Sequence, residues 1–116
     1  MKRRFRLTRS TDIKRVRRSG KSYAHPLIVL YAHHSDHPGA RICVTAGVAV
    51  GNAVHRNRAK RLLREALKPF LSRLIPGASL LLIGRSPLVN SNLADTTQAL
   101  QVLLHRAKLL DQSHDD

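Results

Sequence analysis

Cationic side chains recur at every fourth position in the middle of the chain, at Arg56, Lys60, Arg64 and Lys68. On a helix this spacing places them in a row, where like charges repel one another by about 0.2–0.5 kcal/mol per pair. An ordinary solvent-exposed face mixes charges of both signs and avoids that repulsion. A polyanion lying along the row would relieve it, so the spacing predicts a surface that binds phosphates.

Groups that could make or break bonds are scarce by comparison. The acidic residues are Asp12, Asp36, Glu65, Asp95, Asp111, Asp115 and Asp116. Their positions predict neither the converging carboxylates of a two-metal nuclease nor the carboxylate pair of a glycosidase. The stretch from Gly47 to Gly51 is not followed by the lysine and the hydroxyl residue of a phosphate-binding loop. None of the serines lies in a nucleophile motif. Histidine-based acid–base chemistry stays open, but we assign no catalytic residue and interpret the chain as a binding protein.

The overall composition agrees with that interpretation. The 116 residues suffice for one domain with one core, and the net charge of +14 indicates a nucleic acid or an anionic membrane as partner. Because no apolar run reaches about 18 residues, we expect no transmembrane helix. Of the two kinds of partner we favour the nucleic acid and expect no membrane partner. Cys43 is the only cysteine, so an internal disulfide is ruled out. With no apolar signal-peptide core at the N-terminus, we expect a cytoplasmic protein.

The cationic row belongs to a helix predicted over residues 52–71. Its apolar stripe consists of Ala59, Leu62, Leu63, Ala66, Leu67 and Phe70. At about 100° per residue, this stripe covers an arc of roughly 140° and predicts a face buried on a core. Pro69 is expected to kink the last turn or to end the regular helix near Leu67.

The other elements are predicted to form one domain, residues 1–116, with the order α-β-β-α-β-α and room for an additional short strand. They are a basic arm at 1–9, a helix at Ser10–Ser19, strands at 27–32, 41–50 and Ala78–Gly84, a helix at 96–110 and a frayed tail at 111–116. The arm is either a solvated tail or a segment that orders on phosphates. This order favours an α/β (α+β) sandwich, in which helices pack on a small mixed sheet.

The loop predicted at residues 33–40 contains His33, His34, Asp36 and His37 and therefore raises the question of a metal site. A zinc site usually needs a fourth ligand and a rigid frame, so we assign no metal ligand and favour a mobile loop. Aromatic residues are also few. Because single-stranded RNA readers use several stacking aromatics, the sequence favours recognition of nucleic-acid backbone and shape.

One stretch closely resembles the RNR signature of the protein subunit of bacterial ribonuclease P. It reads Gly51-Asn52-Ala53-Val54-x-Arg56-Asn57-Arg58-x-Lys60-Arg61-x-x-Arg64-Glu65. The resemblance also covers Leu7, Asp12, Val16, Gly20, Leu30, Tyr31, Arg41, Arg85 and Pro87. It spans about residues 7–110.

This resemblance implies a specific function. The family's protein binds the ribonuclease P RNA, and the holoenzyme removes the 5′ leader of precursor tRNA. The RNA would supply the active site and hold the Mg²⁺ ions, so the protein alone would bind no cofactor, and no obligate protein partner is evident. The resemblance also implies a left-handed βαβ crossover, against the general right-handed rule.

The resemblance assigns two groups of site residues. The RNA-binding group is Arg56, Asn57, Arg58, Lys60, Arg61 and Arg64, to which the four-residue spacing adds Lys68. The leader-cleft group is Ile13, Arg17, Tyr23 and Tyr31. Glu65 is expected to pair with Arg61 or Lys68. The family often has aromatic residues at the positions of Ile13 and Arg17, so here an apolar and a cationic contact would replace stacking.

Two other classes of function remain as alternatives. One is a basic ribosomal or DNA-binding structural protein that uses the same helix and has no role in cleavage. The other is a ribonuclease that works without an RNA subunit.

Overall fold

The computed structural model describes residues 10–111. Their helices and strands are α1 (Ser10–Ser19), β1 (Lys21–Ala24), β2 (Ile28–His34), β3 (Arg41–Ala46), α2 (Ala53–Leu67), β4 (Ala78–Gly84) and α3 (Leu93–Arg106). Short 3₁₀ helices occupy Val48–Val50, Lys68–Arg73 and Ser86–Asn90. The basic arm at 1–9 and residues 112–116 of the predicted tail lie outside the described residues. Asp111 is held in place, because its backbone N–H donates to the Arg73 carbonyl oxygen at 2.6 Å.

The four strands form one mixed sheet in the spatial order β1-β2-β4-β3. β2 pairs antiparallel with both β1 and β4, whereas β3 pairs parallel with β4. The parallel strands β3 and β4 are joined through α2, which is the βαβ unit that the family resemblance implies. The α+β prediction is therefore confirmed, and β1 is the additional short strand.

The sheet has helices on both faces. Leu30, Ile42 and Leu82 point toward α2 and α3 and belong to the main hydrophobic core. Leu81 points the other way and packs on Val16 of α1. We call these two sides the α2/α3 face and the α1 face. Because side chains alternate along a strand, the register alone decides which side chain lies on which face.

Gly20 joins α1 to β1 as a single residue. Its N–H donates to the Val16 carbonyl oxygen at 2.9 Å. A β-carbon at this position would collide with the backbone oxygens of Val16 and Ala32. Only glycine therefore allows the end of α1 to lie directly against β2.

The ends predicted for the strand at 41–50 and for the last helix are wrong, whereas the end that Pro69 predicts for the regular part of α2 is confirmed. The strand predicted to reach Val50 ends at Ala46, because the N–H of Gly47 donates to the Gly84 carbonyl oxygen at 3.0 Å and the chain then turns into a 3₁₀ helix. The regular part of α2 ends at Leu67, as Pro69 predicts, and continues as a 3₁₀ helix. The last helix begins earlier and ends earlier than predicted, since Asn92 caps its start and Lys108, with φ of 57°, ends it.

Candidate nucleic-acid interface

Helix α2 is buried along one side only. Ala59, Leu63, Ala66 and Leu67 are buried against the sheet and α3, and Phe70 continues this stripe beyond the helix. The predicted RNA-binding residues Arg56, Asn57, Arg58, Arg61 and Lys68 are exposed, and Lys60 and Arg64 are half-buried. The half-buried cations lie at the edges of the stripe, where long side chains can run along the protein and present their charges to solvent.

The N-terminal end of α2 adds to this positive potential. The Asn52 side chain accepts a hydrogen bond from the His55 N–H at 3.1 Å, and the Asn52 carbonyl oxygen accepts one from the Arg56 N–H at 2.9 Å. No acidic residue stands in the first turn of this helix. The positive end of the helix dipole is therefore not offset locally, and it lies next to Arg56, Asn57 and Arg58.

The ion pairs on the described part of the chain leave most of this surface uncompensated. Lys68 donates to Glu65 at 3.0 Å, one of the two pairings that the sequence predicts for that glutamate. A further ion pair joins Arg15 to Asp12, at 3.8 Å on α1. Within residues 10–111, Arg56, Lys60 and Arg64 therefore have no acidic partner.

Arg64 connects α2 with the edge of the sheet. Burial raises the pKa of the Cys43 thiol on β3, and the positive charge of Arg64 partly offsets this shift. Arg64 is therefore close enough to act on a side chain of the α1 face. β3 is the outermost strand on this side of the sheet, so the charge of Arg64 acts near the sheet edge.

The α1 face brings together three of the four predicted leader-cleft residues. Ile13 and Tyr31 pack on the small cluster formed by Val16 and Leu81. The guanidinium carbon of Arg17 lies 5.7 Å from the centre of the Tyr31 ring. The result is a half-exposed apolar and aromatic surface beside α1, with an exposed cation at its border.

The prediction that Tyr23 shares this cleft is wrong. Tyr23 pairs with Leu30 in the β1–β2 register, whereas its neighbour Ser22 pairs with Tyr31. Directly paired residues point to the same face, so Tyr23 lies on the α2/α3 face and packs on the main core. The sheet separates it from Ile13, Arg17 and Tyr31.

Comparison with known proteins decides the family. The family profile described as Ribonuclease P matches residues 1–108. A protein from Exiguobacterium sp., named Ribonuclease P protein component, is 32% identical over 109 residues, which are 94% of this chain and 95% of that protein. A protein of the same name from Limosilactobacillus reuteri is 32% identical over 119 residues, covering 100% of both chains. The chain belongs to the ribonuclease P protein family.

Solved structures agree with this family. The RNase P protein of Staphylococcus aureus superposes with a TM-score of 0.82 at 26% identity, covering 92% of this chain and 98% of that one. The RNase P protein of Thermotoga maritima superposes with a TM-score of 0.76 at 23% identity, covering 87% of this chain and 96% of that one. This second similarity is evidence for the fold alone.

Family membership also gives the class of activity. Ribonuclease P proteins are subunits of an endoribonuclease that processes the 5′ leader of tRNA together with an RNA subunit. Membership implies a partnership with the ribonuclease P RNA and with a precursor tRNA substrate. Within residues 10–111, no helix is both long and apolar enough to cross a membrane.

In this ribonuclease P protein, residues 33–40 do not all form the loop that the sequence predicts. His33 and His34 belong to β2. The His34 side chain lies 3.0 Å from the Pro76 carbonyl oxygen, and His37 Nε2 lies 3.0 Å from Ser79 Oγ. Across the described part of the chain, no group of three or more His, Cys, Asp or Glu residues is arranged to hold a metal ion. Two of the three histidines are thus tied to neighbouring strands and loops.

The sequence interpretation missed a cationic groove at the β1 edge. Lys21, Tyr23, Arg106 and Lys108 line it together. These residues come from distant parts of the chain, so no local spacing predicts that they meet. The one sequence signal is that Lys108 follows the last helix at a position where glycine is usual.

Proposed function

We propose that α2 docks on the catalytic RNA of ribonuclease P and that the α1 face holds the single-stranded leader of precursor tRNA. One observation carries the proposal: the outward side of α2 presents cations that have no acidic partner within the described residues. A structured polyanion supplies the missing counter-charge. Asn57 lies among these cations and can orient a phosphate or sugar through its amide.

The leader-cleft assignment rests on different residues. Ile13 and the Tyr31 ring offer apolar contact to a base, and Arg17 offers a charge to a phosphate. The charge of Arg64 on α2 acts on Cys43 of the α1 face, which supports placing a substrate on that face beside RNA bound to α2. The protein would then contact both RNAs at once.

The bond-breaking step is assigned to the RNA. The Mg²⁺ ions that the family resemblance implies would be held by the RNA, because we assign no group of acidic residues of this chain to them. The protein's contribution would be positioning: it binds the leader and lowers the repulsion between two polyanions. We further propose that it works in the cytoplasm, where its one thiol stays free.

Reconstitution with the catalytic RNA at low Mg²⁺ tests this function. Under these conditions we expect the protein to increase the rate of leader removal, and we expect Arg58→Ala and Arg61→Ala to weaken RNA binding with the circular-dichroism signal unchanged. Both arginines are exposed, so loss of the fold in either variant would mean that the wrong face of α2 has been assigned.

Two control reactions separate the alternatives. Filter binding at matched salt compares the catalytic RNA with a ribosomal RNA fragment and duplex DNA, and equal affinity for all three would favour a general basic structural protein. Precursor tRNA incubated with the protein alone tests for a self-sufficient ribonuclease, and cleavage there would contradict the assignment of chemistry to the RNA.

A further inference from the structure

A groove of about 550 Å³ lies between β1, β2 and the C-terminal end of α3. Lys21, Arg106 and Lys108 line it together with the apolar groups of Tyr23 and Ile75. None of its described lining residues is acidic. We call this concavity the β1 groove. Its volume is within the range of about 300–1,000 Å³ in which proteins hold small molecules or single nucleotide units.

The β1 groove is separate from both surfaces described above. It lies on the α2/α3 face, as the position of Tyr23 shows, whereas the leader cleft lies on the α1 face. It also lies at the opposite edge of the sheet from β3 and the cations of α2. Three strand spacings, or roughly 14 Å, separate the two edges.

The backbone at Lys108 is the most informative feature of this groove. Its φ of 57° lies in the left-handed region, and within residues 10–111 it is the only non-glycine residue with a positive φ. The turn is closed by the Leu109 N–H, which donates to the Leu104 carbonyl oxygen at 3.0 Å. Glycine is the usual residue at the left-handed position of such a helix end, and a side chain there costs roughly 1–2 kcal/mol.

Stabilisation of α3 alone does not account for these cations. A cation in the last turn of a helix interacts favourably with the helix dipole, which explains Arg106. Arg106 also donates to the Ala24 carbonyl oxygen at 3.4 Å and thereby ties α3 to β1. Lys21 comes from β1, however, and Lys108 occupies an unfavourable conformation. Their convergence on one concavity therefore calls for a ligand.

We propose that the β1 groove binds a segment of single-stranded RNA, with its phosphates on Lys21, Arg106 and Lys108 and a base against Tyr23. A basic groove with an aromatic side chain is the arrangement that holds single strands without reading their sequence. This site would be a third RNA contact, beyond the two proposed above. It does not depend on them, because Lys21, Arg106, Lys108 and Tyr23 lie outside α1 and α2.

A titration of the isotopically labelled full chain with a single-stranded oligonucleotide of about eight nucleotides tests the site by NMR. We expect the amide signals of Tyr23, Arg106 and Lys108 to shift in a saturable, salt-sensitive manner. Shifts confined to α1 and α2 would overturn the proposal.

Lys108→Gly provides a second test, in which a loss of affinity cannot be explained by a loss of folding stability. Glycine suits the left-handed backbone, so the urea midpoint should stay the same or rise. Affinity at the groove should fall by about threefold to fivefold, since one phosphate contact is lost. Arg85→Gln is the matched control, because it also removes one exposed cation but outside the groove. Equal losses in the two variants would mean that net charge alone matters and would overturn the site.

The reconstituted holoenzyme then identifies the source of the strand. If Lys108→Gly weakens binding of precursor tRNA more as the leader is lengthened, the strand is the outer part of the leader. If it weakens binding of the catalytic RNA without substrate, the strand belongs to that RNA. Wild-type affinity for both RNAs would overturn the role of the groove.

Discussion

The guanidinium group of Arg17 on α1 lies over the ring of Tyr31 on β2, with 5.7 Å between the guanidinium carbon and the ring centre. Such a cation–π contact is worth about 0.5–1 kcal/mol at an exposed site. It also places a positive charge next to an aromatic face. A nucleotide entering the α1 face would meet the charge of Arg17 already positioned by Tyr31, beside the apolar side chain of Ile13.

Arg17→Gln should therefore weaken binding of leader-containing precursor tRNA by about fivefold, which corresponds to roughly 1 kcal/mol for a single charged contact. Binding of mature tRNA, which has no leader, should not change. Equilibrium binding to the reconstituted holoenzyme measures both affinities. Arg18→Gln is the control, because Arg18 is an exposed arginine on the same helix. Equal losses from the two variants would contradict a specific role for the Arg17–Tyr31 pair.

Binding to the catalytic RNA should weaken steeply with salt, with a log–log slope that corresponds to roughly 6–10 phosphates. Arg61→Ala should reduce that slope by about one, since Arg61 is exposed on α2. Lys68→Ala should reduce it less, because Lys68 is already paired with Glu65. Filter binding over a salt series gives all three slopes. A wild-type slope near zero would contradict the electrostatic account.

Removal of the negative charge on α2 should strengthen RNA binding. In Glu65→Gln, Lys68 loses its carboxylate partner and becomes available to a phosphate, so affinity for the catalytic RNA should rise about twofold. Asp36→Asn removes one exposed acid from the loop between β2 and β3 and serves as the control for net charge. A comparable gain in that control would show that the position on α2 is unimportant.

The cap of α2 allows stability and RNA binding to be separated. Asn52→Ala removes the acceptor of the His55 N–H and should lower the free energy of unfolding by about 1 kcal/mol. Asn52→Asp keeps a good cap but places a negative charge at the end of the RNA-binding helix. We expect Asn52→Asp to unfold like the wild type in urea and to bind the catalytic RNA more weakly. Wild-type affinity in this variant would indicate that the RNA does not approach the N-terminal end of α2.

The Cys43 thiol should react slowly. Burial raises its pKa, so the reactive thiolate forms at higher pH in the folded protein than in an unfolded control. In Arg64→Gln the offsetting positive charge is lost, and the midpoint of the alkylation rate against pH should move higher still. The raised pKa also makes the free energy of unfolding depend on pH. Below the ordinary thiol pKa, Cys43 is protonated in both the folded and the unfolded protein, so the free energy of unfolding does not change with pH. As pH rises toward the folded pKa, only the unfolded thiol ionises readily and the folded state loses stability. A midpoint at or below that of the unfolded control would contradict this assignment.

The sequence predicted α2 and its two sides well, because a long amphipathic pattern determines which residues are buried. Strand β4 was also predicted well. It lies between β2 and β3 and is buried on both faces, so its sequence is a continuous apolar run that is recognisable without its neighbours. By contrast, β1 is only Lys-Ser-Tyr-Ala at a sheet edge, with no apolar alternation. Its register, and therefore the face of Tyr23, is determined by pairing with β2.

The β1 groove and the end of α3 depend on contacts between distant segments. Leu109 and Leu110 continue the apolar pattern of the helix, so periodicity extends it, but both are buried after the chain has turned at Lys108. Leu110 instead pairs with Leu74. A local pattern contains no information about such a partner, and for this reason neither the turn nor the groove was predicted.

The glycine between α1 and β1 determines how the leader surface can behave. Because Gly20 leaves no slack between the helix and a strand that is already paired, α1 cannot swing outward unless β1 detaches from β2. The contacts of the α1 face are therefore in place before any RNA arrives. An unpaired RNA segment that binds there would require no movement of α1.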